Sequence, residues 1–103
     1  TMTKASRPYK PTLLQGLKDP KEAAEYLNAA LEEAETPELF LLALRNVAEA
    51  HGIKKLSEEA QLNRESMYRM LSEQGNPQLS SLTAILKEIG LRLAVEVEEP
   101  AHA

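Results

Sequence analysis

Apolar residues recur at helical spacing in five stretches of this chain, and near its end the period changes once to strict alternation. In the first stretch Ala23, Leu27, Ala30, Leu31 and Ala34 share a face, with Glu22, Glu25, Glu32 and Glu33 around the other sides. Asp19-Pro20-Lys21-Glu22 marks its start: Asp19 suits the cap, Pro20 has no N–H to leave unpaired in the first turn, and Glu22 completes a capping box. Thr36-Pro37-Glu38 repeats the signal. The run 39–44 then places six apolar residues in a row. At about 100° per residue they cannot occupy one face, so this helix is expected to be covered on two sides. Gly52 after His51 stops it, and the helix dipole would favour a cationic His51 there.

Residues 53–76 read as two short helices around a tight turn. Leu56 and Ala60, four apart, give the first helix a narrow apolar side. Gln61-Leu62-Asn63 interrupts it, and Asn63 suits an N-cap because its side-chain oxygen can accept from an otherwise unpaired backbone N–H. The second helix shows Met67, Met70 and Leu71 on one face and leaves Arg64, Glu65, Tyr68, Arg69 and Ser72 on the other. This is the anatomy of a helix-turn-helix offering a polar face to the major groove, and also of two helices in a plain bundle. Leu62, apolar where a surface loop would be polar, favours the former, as do two arginines and a tyrosine beside one carboxylate. Gly75-Asn76-Pro77 forces a turn, and Ser80 or Ser81 is expected to cap a last helix with Leu82, Ile85, Leu86 and Ile89 on one stripe, ended by Gly90. Beyond it Leu91, Leu93, Val95 and Val97 face one way, as in a half-buried strand. A lone strand leaves its backbone groups unpaired, so it either pairs with its copy in a second subunit or lies over its own helices.

Composition narrows the classes. At 103 residues, 43% hydrophobic and 27% charged, the chain is expected to be one soluble domain with a modest core. The absence of cysteine excludes a disulfide scaffold and fits a reducing cytosol, which sets the expected location as cytoplasmic. His51 and His102 alone do not make a transition-metal site, and no cofactor is expected. No apolar run approaches the ~20 residues of a membrane helix, and the N-terminus lacks the apolar core of a signal peptide. Met2 reads as the natural start, with Thr1 a cloning remnant. Nothing supports an enzyme: there is no cysteine nucleophile, histidine pair, Gly-rich phosphate loop or convergent carboxylate pair. The net charge of −4 argues against tight non-specific DNA binding, so any phosphate attraction must come from local clusters.

Leu56, Ala60, Leu62, Asn63, Arg64 and Met67 fall where the Cro/CI (Xre-type) repressor superfamily places its helix-turn-helix landmarks. The stretches DPKEAAEYLNAALEEAE, PELFLLALRNVAEAHGIKKL and NRESMYRMLSEQGNPQLSSL resemble one branch of it, the addiction-module antidote proteins (HigA-like antitoxins). The likeness runs from about Leu17 to about Leu93. Two positions depart from the wider superfamily: Ser57 stands where a small Ala is usual, and Gln61 where Gly is usual. Gln61 must therefore take a left-handed conformation or close the turn another way. The resemblance implies an all-α, five-helix Cro/CI-like helix-turn-helix domain with an N-terminal helical extension, to which the alternation after Gly90 adds a short C-terminal β-strand. The parts would be an arm (1–18), an N-terminal helix (19–35), the DNA-binding domain (36–90), a dimerisation strand (91–99) and a tail (100–103). It further implies an antitoxin that silences a RelE/HigB-like, mRNA-cleaving toxin by binding it and represses their shared operon. A stand-alone repressor without a toxin is the alternative, and the acidic charge keeps a helical adaptor without DNA contact in view.

Three surfaces follow. For DNA, Arg64, Glu65, Tyr68 and Arg69 are placed for base edges, an arginine on guanine and Glu65 on cytosine N4, with Asn63 and Ser66 near the backbone. Lys54 and Lys55 are phosphate candidates or plain surface charge. For a homodimer reading a palindromic operator, whose half-sites lie about 34–36 Å apart, Leu91, Leu93, Val95 and Val97 would form the interface. For the toxin, the N-terminal third offers Leu13, Leu14 and Leu17 with Glu22, Glu25, Glu32 and Glu33, acidic groups suited to a basic ribonuclease. The same leucines could instead complete this chain's own core, and the glutamates could simply be solvated.

Overall fold

Helices form over the five stretches of helical apolar spacing. The structure, a computed structural model, describes residues 15–33 and 37–98. Its helices are α1 (Pro20–Glu33), α2 (Pro37–His51), α3 (Ile53–Glu59), α4 (Arg64–Met70) and α5 (Leu79–Ile89). Ahead of α1, the N–H groups of Lys18 and Asp19 donate to the carbonyls of Gln15 and Gly16. The turn they close seats Leu17, 2% exposed, in the core. Leu17, inside the segment expected to be an arm, thus belongs to the core, and the Asp19 N–H has a partner other than Glu22.

α1 packs on α2, which also meets α3 and α5, while α3 meets α4 and α5. Ala23 and Leu27 are buried as the stripe predicts, but Leu31 on the same stripe is 56% exposed. Tyr26 takes its place against α2: half-buried, it accepts a 2.8 Å hydrogen bond from Asn46 Nδ2. In α2, Leu41, Ala43, Leu44, Val47, Ala48 and Ala50 are all buried, too many for one face, in keeping with cover on two sides. The largest fully buried side chains are Leu44, Val47, Leu56, Met67, Leu71 and Ile85. Helices α3 and α4 have seven residues each, too short to persist alone. They depend on Leu56 and Met67, whose burial is worth roughly 1.5–3 kcal/mol apiece.

The start of α5 differs from expectation. Its cap is Gln78, with no side-chain bond, and the Leu82 N–H already donates to the Gln78 carbonyl at 2.9 Å. Ser80 and Ser81 thus lie inside the first turn. A serine signals a helix start only if no earlier residue closes the first hydrogen bond, and here Gln78 does. α5 ends as expected: Gly90 is left-handed (φ 97, ψ 20), and the N–H groups of Gly90 and Leu91 close back on Lys87 and Leu86. The link from α4 to α5 turns on Gly75, where a Cβ would lie 2.0 Å from the Met70 carbonyl oxygen.

The C-terminal strand is not formed. Residues 91–98 carry no regular structure. Leu91 is half-buried against the core, Leu93 is 44% exposed, and Val95 and Val97 are 99% and 90% exposed. A strand is a pairing, and the described residues of a single chain offer this segment no ladder. Nor do its valines lie over the chain's own helices. No helix among the described residues is long and apolar enough to cross a membrane.

Candidate nucleic-acid interface

The two-helix unit is held by its turn. Gln61 takes the left-handed option, φ 60, the one positive-φ non-glycine among the described residues. Its N–H donates to the Glu58 carbonyl at 3.2 Å, and the Leu62 N–H reaches back to Ser57 at 2.8 Å. This pair of bonds is the Schellman closure, in which the left-handed residue is usually Gly. Leu62, half-buried, packs on the core and plugs the angle between α3 and α4. The other departure is absorbed locally: buried Ser57 donates its hydroxyl to the Lys54 carbonyl at 2.8 Å, so no polar group is stranded.

Asn63 then starts α4. Extended (φ −75, ψ 137), it accepts through Oδ1 from the N–H of Glu65 at 2.8 Å and of Ser66 at 3.2 Å. Those amides and the Asn63 oxygen are therefore engaged within the chain, which narrows what the start of α4 offers a phosphate. With Met67 fully buried and Met70 half-buried, Arg64, Glu65, Tyr68 and Arg69 are left exposed together. Arg69 Nη2 donates to the Ser66 hydroxyl at 3.2 Å, which steadies the guanidinium along the helix surface. The face thus carries two guanidinium groups, one carboxylate and a phenol, a set able to donate to guanine, accept from cytosine and stack or bond on a backbone.

Arg45 of α2 belongs to the same neighbourhood, and its position was not legible in the sequence. Its guanidinium carbon sits 5.2 Å from the centre of the Tyr68 ring, and its Nε lies 3.5 Å from Glu49 Oε2. The i,i+4 pair with Glu49 follows from spacing; the contact across to α4 exists only in the folded chain. Lys54 and Lys55 are exposed in the first turn of α3. Lys55 also lies near His51, where it joins burial, the larger cause, and Lys18 in lowering the imidazole pKa against the opposing pull of Glu59. The Nε2 of His51 is buried without a hydrogen-bond partner. Burial, with Lys55 and Lys18, therefore holds the imidazole at the end of α2 towards its neutral form, against the expected cation.

The residues expected to meet a toxin divide. Leu13 and Leu14 lie outside the described residues, as does the side chain of Glu33. Leu17 is consumed by the core. Glu22, Glu25 and Glu32 are exposed along α1. Of the dimer set, Leu91 is half-buried, and Leu93, Val95 and Val97 are open to solvent. Among the described residues no cluster of three or more acidic or histidine side chains is placed to hold a metal.

No solved structure matches the chain. A protein of Haemophilus influenzae, itself uncharacterized, is 33% identical over 76 residues, which cover 74% of this chain and 77% of that one. A family model described as probable addiction module antidote protein matches residues 10–97, nearly the whole chain. The chain belongs to that family of addiction-module antidote proteins.

Proposed function

We propose that this protein is the antitoxin of a type II toxin–antitoxin module of the Xre/HigA-like kind. It acts in the cytoplasm as a homodimer, represses its own operon by binding a palindromic operator through α3 and α4, and neutralises a RelE/HigB-like, mRNA-cleaving toxin. The family match over residues 10–97 carries the antidote role. The DNA-binding part is supported by the turn, in which Gln61, Leu62 and Asn63 fix α4 so that Arg64, Glu65, Tyr68 and Arg69 stand clear of the core. In this reading α4 enters the major groove, Arg64 or Arg69 contacts guanine, and Lys54 and Lys55 neutralise phosphates. The exposed Glu22, Glu25 and Glu32 on α1 steer a basic ribonuclease onto a surface separate from α4.

The test is co-expression with the open reading frame beside this gene. The product of that frame should co-purify with the chain and lose its ribonuclease activity. Replacing Glu22, Glu25 and Glu32 together by Lys should slow association, most visibly at low salt. A chain that binds its upstream DNA yet retains no neighbouring product is instead a stand-alone repressor. One that binds neither contradicts the whole reading.

A further inference from the structure

Residues 91–98 present a gradient that an isolated chain leaves unexplained. Leu91 is seated on the core, Leu93 is half out, and Val95 and Val97 project into solvent. Leu91, Arg92, Leu93, Ala94 and Glu96 together line a groove of about 500 Å³ against α1. Among the described residues neither Arg92 nor Glu96 has an ion-pair partner. Among the described residues nothing covers this apolar end, and the two opposite charges beside it lack a complement.

We infer that the complement is the same segment of a second copy, paired antiparallel in one register, with the two-fold axis passing through Ala94. This rests on the homodimer reading above and adds its geometry. In an antiparallel pair, residues directly opposite share a face, and their side chains interact most strongly. With the axis at Ala94, Arg92 stands opposite the partner's Glu96, and the symmetry makes that pair twice. Leu93 meets the partner's Val95, and Leu91 meets the partner's Val97. Each chain's exposed valines thus come to rest beside the leucines its partner has already seated, which accounts for the gradient.

Other registers fail on stated grounds. A one-residue slip sets Leu93 against the partner's Glu96 and mixes the two faces. An axis at Leu93 puts Arg92 opposite the partner's Ala94 and leaves Glu96 at the end of the ladder beside the partner's Gly90. An axis at Val95 also pairs Arg92 with the partner's Glu98, but it sets Ala94 against the partner's Glu96 and Leu91 against the partner's Glu99. An axis at Glu96 opposes that carboxylate with its own copy. Only the Ala94 axis matches apolar with apolar and cation with anion throughout.

The chain has no cysteine, so single cysteines report the register directly. Across the axis the Cα atoms would lie about 4.5–5.5 Å apart, inside the disulfide window. Under mild oxidation the full-length Ala94→Cys chain should cross-link to itself. Arg92→Cys and Glu96→Cys should each stay uncross-linked alone, since their copies lie about 13 Å apart along the ribbon, and should cross-link when mixed. Arg92→Glu and Glu96→Arg should each weaken self-association roughly tenfold, and an equimolar mixture should restore it by forming the matched heterodimer. Every variant is checked for native circular dichroism. If the chain sediments as a dimer but Ala94→Cys does not cross-link, the register is wrong and the homodimer reading stands. If the chain is a monomer at all accessible concentrations, both are wrong.

Discussion

Replacing Gln61 by Gly should stabilise the protein. An L-residue in the left-handed region costs about 1–2 kcal/mol, and Gln61 sits there at φ 60. Glycine removes that cost but gives the unfolded chain more freedom, which takes back roughly 0.4–1 kcal/mol. Nothing else is lost, because both closing bonds of the turn run through the backbone and the Gln61 side chain is exposed. The net gain is therefore about 0.5–1 kcal/mol, or roughly 2–8 °C in Tm for a domain of this size. Urea unfolding followed by far-UV circular dichroism measures it, at one fixed protomer concentration because self-association would shift the midpoint. Gln61→Ala is the control: it keeps the Cβ and hence the strain, so its stability should stay within about 0.5 kcal/mol of the parent. A less stable Gly variant, or an Ala variant that gains as much as Gly, would refute the strained turn.

Asn63→Ala removes both acceptor bonds at the start of α4 and should cost about 1 kcal/mol in the same assay, whereas Asn63→Asp should retain most of the stability. Gly75→Ala should cost at least about 1–3 kcal/mol, because its Cβ would lie 2.0 Å from the Met70 carbonyl oxygen and 2.5 Å from the carbon, backbone atoms that move only with α4 itself. His51 makes stability depend on pH: with its folded pKa below 6.5, its contribution is complete above that value and is lost as pH falls towards the folded pKa, since the unfolded chain takes up the proton first. His51→Gln should flatten that limb of the pH–stability profile, and a parent that gains stability on acidification through this range would contradict the assignment.

What could be read in the sequence was whatever neighbouring residues decide among themselves. Asn63 as a cap, Gly90 as a stop and the stripe Leu82, Ile85, Leu86, Ile89 depend on residues within a turn or two, and each stands where its spacing put it. The cap of α5 is the instructive miss, because Ser80 and Ser81 are better capping residues than Gln78 and propensity could not see the bond that starts the helix earlier. Tyr26 replaced Leu31 at the α1–α2 contact because its hydroxyl meets Asn46, a partner 20 positions away that no periodicity reveals. Arg45 over Tyr68 was hidden for the same reason. The lowered pKa of His51 was hidden because burial, its first cause, cannot be read from position along a helix. The alternation of Leu91, Leu93, Val95 and Val97 was plain in the sequence, but whether it pairs depends on a second molecule.

The outward face of α4 as a reader of DNA is tested most directly by equilibrium titration of the DNA fragment upstream of this gene. Parent, Arg64→Ala and Arg69→Ala are compared at one stated salt concentration, each with its helicity confirmed. Arg69→Ala should weaken binding by about 1–3 kcal/mol, with the loss confined to one base position of each half-site, and Arg64→Ala should behave likewise at a neighbouring base. Unchanged affinity in both variants would contradict the account, since no other exposed pair on α4 supplies guanidinium groups to the groove.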